Sequence, residues 1–230
     1  MKLAFVRQNL HLVTLLMAVA CAPSVSRSLA AQGSVNGTGV NRVDSLDLLP
    51  AGFGRLRQDD ITLQFTLPGG LQIKAIPLDE RMIRLLSPDS YRVMTQLKES
   101  KKRTIDSIAD RTRLQRYSLW YVTFYGVEQG EARFSPQEFI IQNVGHDFRP
   151  VDVLAMTNGF GENRVKQREK QSALYVFDGQ LDTNQPLTAR MENTASSTDW
   201  QSVLQRVEQE RTAVRSRAGA AQKPPAEVRN

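Results

Sequence analysis

Few side chains in this 230-residue chain carry conventional catalytic chemistry, and their scarcity bounds what it can do. There are two histidines, His11 and His146, and one cysteine, Cys21. His11 lies in an apolar N-terminal run, so His146 is the one imidazole left for a folded body. A zinc site built from several histidines is thereby excluded, and no H-E-x-x-H occurs. A Ser-His-Asp triad would have to use His146 beside Asp147, yet no G-x-S-x-G elbow accompanies it and no serine has a lysine three positions on. The plainer reading of Val144-Gly145-His146-Asp147 is a turn. Gly159-Phe160-Gly161 resembles part of a phosphate loop but lacks the third glycine and a following helix, so it also reads as a turn.

Two kinds of site stay open. Carboxylate pairs for glycoside hydrolysis form in space rather than in sequence, and Asp59-Asp60, Glu128, Glu131, Asp178 and Asp182 all lie near turn signals. The polar stretch 158–171 carries alternating bases, Arg164, Lys166, Arg168 and Lys170, just before an apolar run. They are the candidate partner contact; the bland alternative is the solvated end of a hairpin. No catalytic, cofactor-binding or metal-ligating residue is assigned, and no cofactor is expected.

The elements that would position these residues are short. Between 133 and 191, apolar runs at 139–141, 151–156, 174–177 and 187–191 alternate with clusters of Gly, Asn, Asp and Pro, the pattern of consecutive antiparallel strands. Runs 151–156 and 174–177 are apolar on both alternating faces, which predicts central strands, as does the aromatic segment 117–125 (YSLWYVTFY). An aromatic platform for bases or sugars is conceivable in that segment, but no basic residues interleave, so it reads as core. Residues 61–67 and 71–75 alternate cleanly around Pro68-Gly69-Gly70, predicting a hairpin with one wet face near a sheet edge.

Two helices are expected beside these strands. Ser87-Pro88-Asp89 offers a cap, a first-position proline and a first-turn acid, and Tyr91, Met94, Leu97, Ile105 and Ile108 carry a stripe to about residue 113. The charge run 98–103 falls within it and reads as a solvated face. The second helix spans about 198–217, with Thr198 and Gln201 at capping-box spacing and a stripe through Trp200, Val203, Leu204, Val207 and Val214. The expected fold is therefore mainly β: an antiparallel β-sandwich with two added helices (about 87–113 and 198–217).

Lys2 and Arg7 precede an apolar stretch at 10–20 (LHLVTLLMAVA), followed by small residues, which reads as a secretory signal too short to span a bilayer as a helix. Two processing points are open: cleavage after Ser28-Leu29-Ala30, or a lipobox, Ala18-Val19-Ala20-Cys21, with lipid attachment at Cys21. Domain organisation follows as a signal peptide at 1–30, a flexible leader at 31–42, one sandwich domain at 43–218 and a disordered tail at 219–230. Either scheme leaves the body without a thiol. Residues 1–31 hold three bases and no acid, so their loss takes the formal charge from +6 to +3. From Trp200 onward six bases face three acids, so the rest of the body is near neutral and a nucleic-acid partner is not expected.

Several segments carry a resemblance: Leu56-Arg57-Gln58-Asp59-Asp60, Phe148-Arg149-Pro150, Gly159-Phe160-Gly161, Gln167-Arg168-Glu169, the run at 172–177 and Gln185-Pro186-Leu187. Through them the chain resembles, from 56 to 217, a family of uncharacterised exported bacterial proteins with an immunoglobulin-like β-sandwich. That resemblance implies an exported all-β core with helical additions and brings no activity or catalytic residues. The functional expectation is a non-enzymatic protein of the periplasm or cell envelope that binds another protein or an envelope polymer and meets the membrane only through a lipid anchor, if it carries one. The rival is a polysaccharide hydrolase using two carboxylates. Intact-mass measurement on the envelope fraction should show a chain starting near Ala31, or one starting at a diacylglycerol-modified Cys21. A soluble cytoplasmic product still beginning at Met1 would overturn the export reading.

Overall fold

The computed structural model describes residues 48–222. The expected signal, the leader, Cys21 and the last eight residues lie outside the described residues. Mainly antiparallel sheets accompanied by helices make up the described part.

Strand β1 (Leu63–Leu67) and strand β2 (Leu71–Pro77) form the expected hairpin, with Leu63 opposite Ala75 and Leu67 opposite Leu71. Gly70 takes φ +73 at its turn, and a side chain there would strike Glu128. Leu63, Phe65 and Leu67 are buried while Gln64 and Thr66 point away, so alternation in the sequence becomes alternation in burial. Strand β3 (Tyr117–Gly126) follows three helices. Next come β4 (Glu131–Arg133), β5 (Ile140–Asn143), β6 (His146–Phe148), β7 (Asp152–Ala155), β8 (Arg164–Lys166), β9 (Lys170–Asp178), β10 (Leu187–Met191) and β11 (Thr194–Ala195). All seven predicted runs are strands; β4, β6, β8 and β11 are additional and too short for a periodicity signal.

The strands form a five-stranded sheet ordered β1-β2-β3-β9-β7, a four-stranded sheet ordered β11-β10-β5-β6, and a β4-β8 ribbon. Strands β3 and β9 are central, as their two-sided apolarity predicts. Strand β7 is a correction: it pairs with β9 alone and forms an edge, with neighbouring Val151 38% exposed. Its residues are at most partly buried, with Val153 and Leu154 packed against the core. Val153 lies opposite Tyr175 on one face, and Leu154 lies opposite Leu174 on the other. The Asp152 carboxylate accepts from the Val153 N–H at 2.7 Å and pairs with Arg111 at 3.0 Å, which blunts the edge.

Phe139, just before β5, joins the two larger sheets. Its ring stacks on Phe65 of β1 and meets Tyr175 and Phe177 of β9, at centroid distances of 6.4, 5.2 and 6.3 Å. A second aromatic cluster, Phe124, Phe134 and Phe160, packs under the ribbon, with the Phe124 and Phe134 rings 4.2 Å apart.

The helices are α1 (Glu80–Ile83), α2 (Pro88–Ser100), α3 (Lys102–Thr112) and α4 (Trp200–Gln222). The single helix expected over 87–113 is two, broken at Lys101 where φ is −116° and ψ 6°. The charged run at 98–103 has no apolar residue to carry the buried stripe across the break. Met94 in α2 and Ile105 and Ile108 in α3 each anchor their own segment in the core. Helix α4 continues past Gly219, where a stop was expected, to Gln222. One exposed glycine in a helix costs about 1 kcal/mol, and alanines, the strongest helix formers, flank this one.

The cap of α4 is Asp199, not Thr198. Asp199 accepts from the Gln201 N–H at 3.1 Å and the Ser202 hydroxyl at 2.5 Å. Thr198 instead accepts from the Gln64 N–H (2.9 Å) and donates to the Thr62 carbonyl (3.2 Å), both on the outer side of β1. Trp200 is 2% exposed, lies 6.2 Å from the Trp120 ring, and donates its indole N–H to the Thr183 carbonyl at 3.0 Å. Replacing Trp200 by Ala should destabilise the fold by about 3–5 kcal/mol in urea titrations. A loss under about 1 kcal/mol, the scale of a surface change, would show that this ring does not anchor α4.

Candidate functional site

Beside Trp200 the surface opens into a groove of about 660 Å³, a volume within the usual range for ligand sites. Three elements line it: Gln142, Val144 and Gly145 at the end of β5, Gln185, Pro186, Leu187 and Thr188 entering β10, and Thr198 to Gln201 at the start of α4. Pairing of β5 with β10 sets Gln142 directly opposite Thr188. On the buried side of the same strand, Asn143 donates to the Asp182 and Pro186 carbonyls (3.2 and 3.0 Å) and accepts from the Asp182 N–H (3.0 Å). That side chain ties the 182–186 loop to β5. Helix α4 holds the loop from the other side, through Trp200 on Thr183 and through Arg211, which donates to Asn184 at 2.6 Å.

Asp79 completes the support. It is half-buried beside α1, accepts from Arg81 at 2.7 Å and from the Thr183 hydroxyl at 2.9 Å, while Arg81 also reaches Asp182 at 3.6 Å. Burial pushes the Asp79 carboxyl up, but the hydrogen bonds and charge of Arg81, helped by Thr183, outweigh it and hold its pKa below the ordinary value.

The groove presents amides. None of the hydrogen bonds among the described residues uses the side chain of Gln142, Gln185, Gln201 or Thr188. The groove's one acid, Asp199, caps α4, and the Ser202 hydroxyl together with the Gln201 and Ser202 N–H groups holds its pKa low. Arg190, on the outward face near Gln142, is paired with Asp147 across the sheet. The lining therefore mixes apolar surface with neutral amides, carries little charge, and can donate and accept at once.

Val144 forms the lip. It is 66% exposed and has φ 49°, followed by Gly145 at φ 77°, so both residues of the two-residue turn between β5 and β6 are left-handed. This turn type matches strand twist but favours Asn, Asp or Gly, and a β-branched residue there is strained by about 1–3 kcal/mol.

The basic residues singled out in the sequence lie elsewhere. Arg164 and Lys166 are on β8, Arg168 is in the turn at φ 61°, and Lys170 opens β9, all exposed near the Phe124 end of β3. Three glutamates interleave with them. Arg164 pairs with Glu162 (2.8 Å) and Glu131 (3.6 Å), bonds that raise its pKa further. Lys166 stands opposite Glu131, and Glu169 accepts from the Lys166 N–H at 2.9 Å. The surface there is of mixed charge.

The other candidate residues are also dispersed. Asp147 bonds Arg190 rather than forming a relay with His146. Phe160 is buried in its cluster, and Gly159 leads into a short 3-10 helix, Phe160–Glu162, rather than a phosphate loop. Asp59 pairs with Lys74, and Asp178 and Asp182 accept from N–H groups of their own turns. The groove residues gave no sequence signal, because isolated glutamines far apart in the chain match no motif. Val144-Gly145 between apolar runs was the one local hint, as a turn.

Since the pKa of Asp79 is depressed in the folded state, its contribution to stability is fully present above the unfolded value of about 3.9 and is lost as pH falls through the folded value. Asp79→Asn should therefore be less stable than the parent at pH 7, with the gap closing as urea midpoints are followed from pH 5 down to pH 3. A gap that stays constant over that range would show that the Asp79 charge contributes nothing.

No protein-family model, curated protein or solved structure matches this chain, so the groove is interpreted from its own chemistry.

Proposed function

We propose that this is an exported protein of the bacterial cell envelope that binds rather than catalyses, taking another protein or an envelope polymer in the groove lined by Gln142, Gln185 and Gln201. Convergence of three unengaged carboxamides from three separate elements carries the reading. The export reading rests on the basic N-terminus, the apolar stretch at 10–20 and the small residues after it, with either Ala30 as the cleavage point or Cys21 as the lipid-bearing residue. We also assign the core to the immunoglobulin-like sandwich class. The packing of two antiparallel sheets across Phe139 supports that assignment.

The hydrolase alternative has less support. It needs two carboxyl groups facing a groove, about 5–5.5 or 6.5–9.5 Å apart, with one pKa raised to keep a proton. This groove contributes one carboxylate, Asp199, already engaged and shifted down. The pKa values of Asp79 and Glu169 are also held below the ordinary range, by Arg81 and by the Lys166 N–H and Gln171 respectively.

A photo-crosslinking residue placed at Gln142 or Gln201 in the native envelope is expected to capture a defined partner or polymer, and capture should be lost in the Gln185→Ala background. The same probe at Arg164 should capture nothing comparable. Capture at Arg164 alone would move the site to the β8 surface. Glycan cleavage by the purified protein that disappears in Asp199→Asn would replace the binding reading with the hydrolase.

A further inference from the structure

The chemistry of the groove narrows its occupant. We propose that it takes an uncharged, hydroxyl-rich chain, a neutral glycan strand, with Val144 as the apolar lip that meets a sugar ring; this rests on the binding reading above. Three observations support the choice. First, each glutamine amide offers two donors and an acceptor, and Gln142, Gln185, Gln201 and the Thr188 hydroxyl all lack partners among the described residues. Vicinal hydroxyls, which donate and accept from adjacent carbons, match such groups directly.

Second, charge selects against ionic ligands. Asp199 is engaged in its cap, and Arg190 is paired with Asp147, so neither charge is free to compensate the desolvation of an anionic or cationic polymer. Third, the sheet offers an extended peptide little edge. Peptides held by strand addition need a free sheet edge. Strand β5 is paired on both sides, with β10 and β6, and β10 leaves only Leu187 and Thr188 outside its pairing with β11 and Ser196.

Val144 and Pro186 supply exposed apolar surface at the rim, suited to the C–H face of a pyranose, while Trp200 lies too deep to act as a stacking platform. The strained left-handed conformation of Val144 has a use in this arrangement. A relaxed Asn or Gly at the tip would leave the rim without its apolar contact.

The test is a titration of the ¹⁵N-labelled protein, purified from the envelope fraction, with tetra-N-acetylchitotetraose and cellotetraose. Polygalacturonate and a neutral Ser/Gln-rich dodecapeptide serve as comparisons. Amide and side-chain signals of Gln142, Gln185 and Gln201 should shift with at least one neutral oligosaccharide and with neither comparison. Gln142→Ala and Gln201→Ala should each weaken binding by roughly three- to tenfold, the scale of one hydrogen bond lost. Val144→Asn should weaken binding about threefold while raising the urea midpoint, since Asn accepts the left-handed turn.

If the dodecapeptide or polygalacturonate moves those signals and the neutral oligosaccharides do not, the glycan assignment is wrong and the binding groove stands. If none of the four ligands perturbs the groove and the crosslinking probes there capture nothing, both fall. Oligosaccharide binding that is unchanged in Val144→Asn would remove Val144 from the site.

Discussion

The burial of Trp200 is the constraint on which the arrangement around the groove depends. Its ring must leave water at the first position of α4, and its indole N–H then needs a partner, since an unsatisfied buried donor costs about 1–3 kcal/mol. Both requirements are met at one place, against Trp120 of the central strand and on the Thr183 carbonyl. The start of α4, the 182–186 loop and the five-stranded sheet are thereby held in one geometry. Gln201 is the next residue, so its position at the groove follows from where its neighbour is buried. Asn143 does the same from the other wall, with all three of its bonds going to the loop that carries Gln185.

Several polar groups at the sheet edges are engaged. The outer side of β1 is bonded to Ser197 and Thr198, and the β7 edge is blunted by Asp152. Charged residues pair with neighbours in space, as in Arg164 with Glu162, Lys74 with Asp59 and Arg190 with Asp147. Such exposed pairs contribute little stability individually. Their effect here is to break up concentrations of one sign.

Two local features run against stability. Tyr175 is fully buried in the Phe139–Phe177 aromatic group, and its hydroxyl has no hydrogen-bond partner among the described residues; burial drives its pKa up. The surrounding rings account for keeping an aromatic side chain there, and nothing in the structure explains the oxygen. Val144 differs in that its strain lies at an exposed tip beside the groove, where a less strained residue would fit the turn equally well.

Much of the local structure was legible in the chain. Alternation over 61–67 and 71–75 produced the first hairpin, Pro88 opened α2, and the stripe from Trp200 to Val214 buried one side of α4, because these patterns act through neighbours a few residues apart. Residue counts alone confined thiol chemistry to Cys21 and left His146 as the one imidazole among the described residues. What needed the tertiary structure was every choice between competing partners. Two-sided apolarity at 151–156 could not distinguish a partly buried edge strand from a central one. Thr198 has the spacing of a helix cap, yet the unpaired Gln64 N–H, 134 residues away, takes its hydroxyl and leaves the cap to Asp199. The groove exists for the same reason. Gln142, Gln185 and Gln201 mean little apart, and only the β5–β10 register and the burial of Trp200 bring their amides to one place, because contacts between distant segments leave no period in the chain.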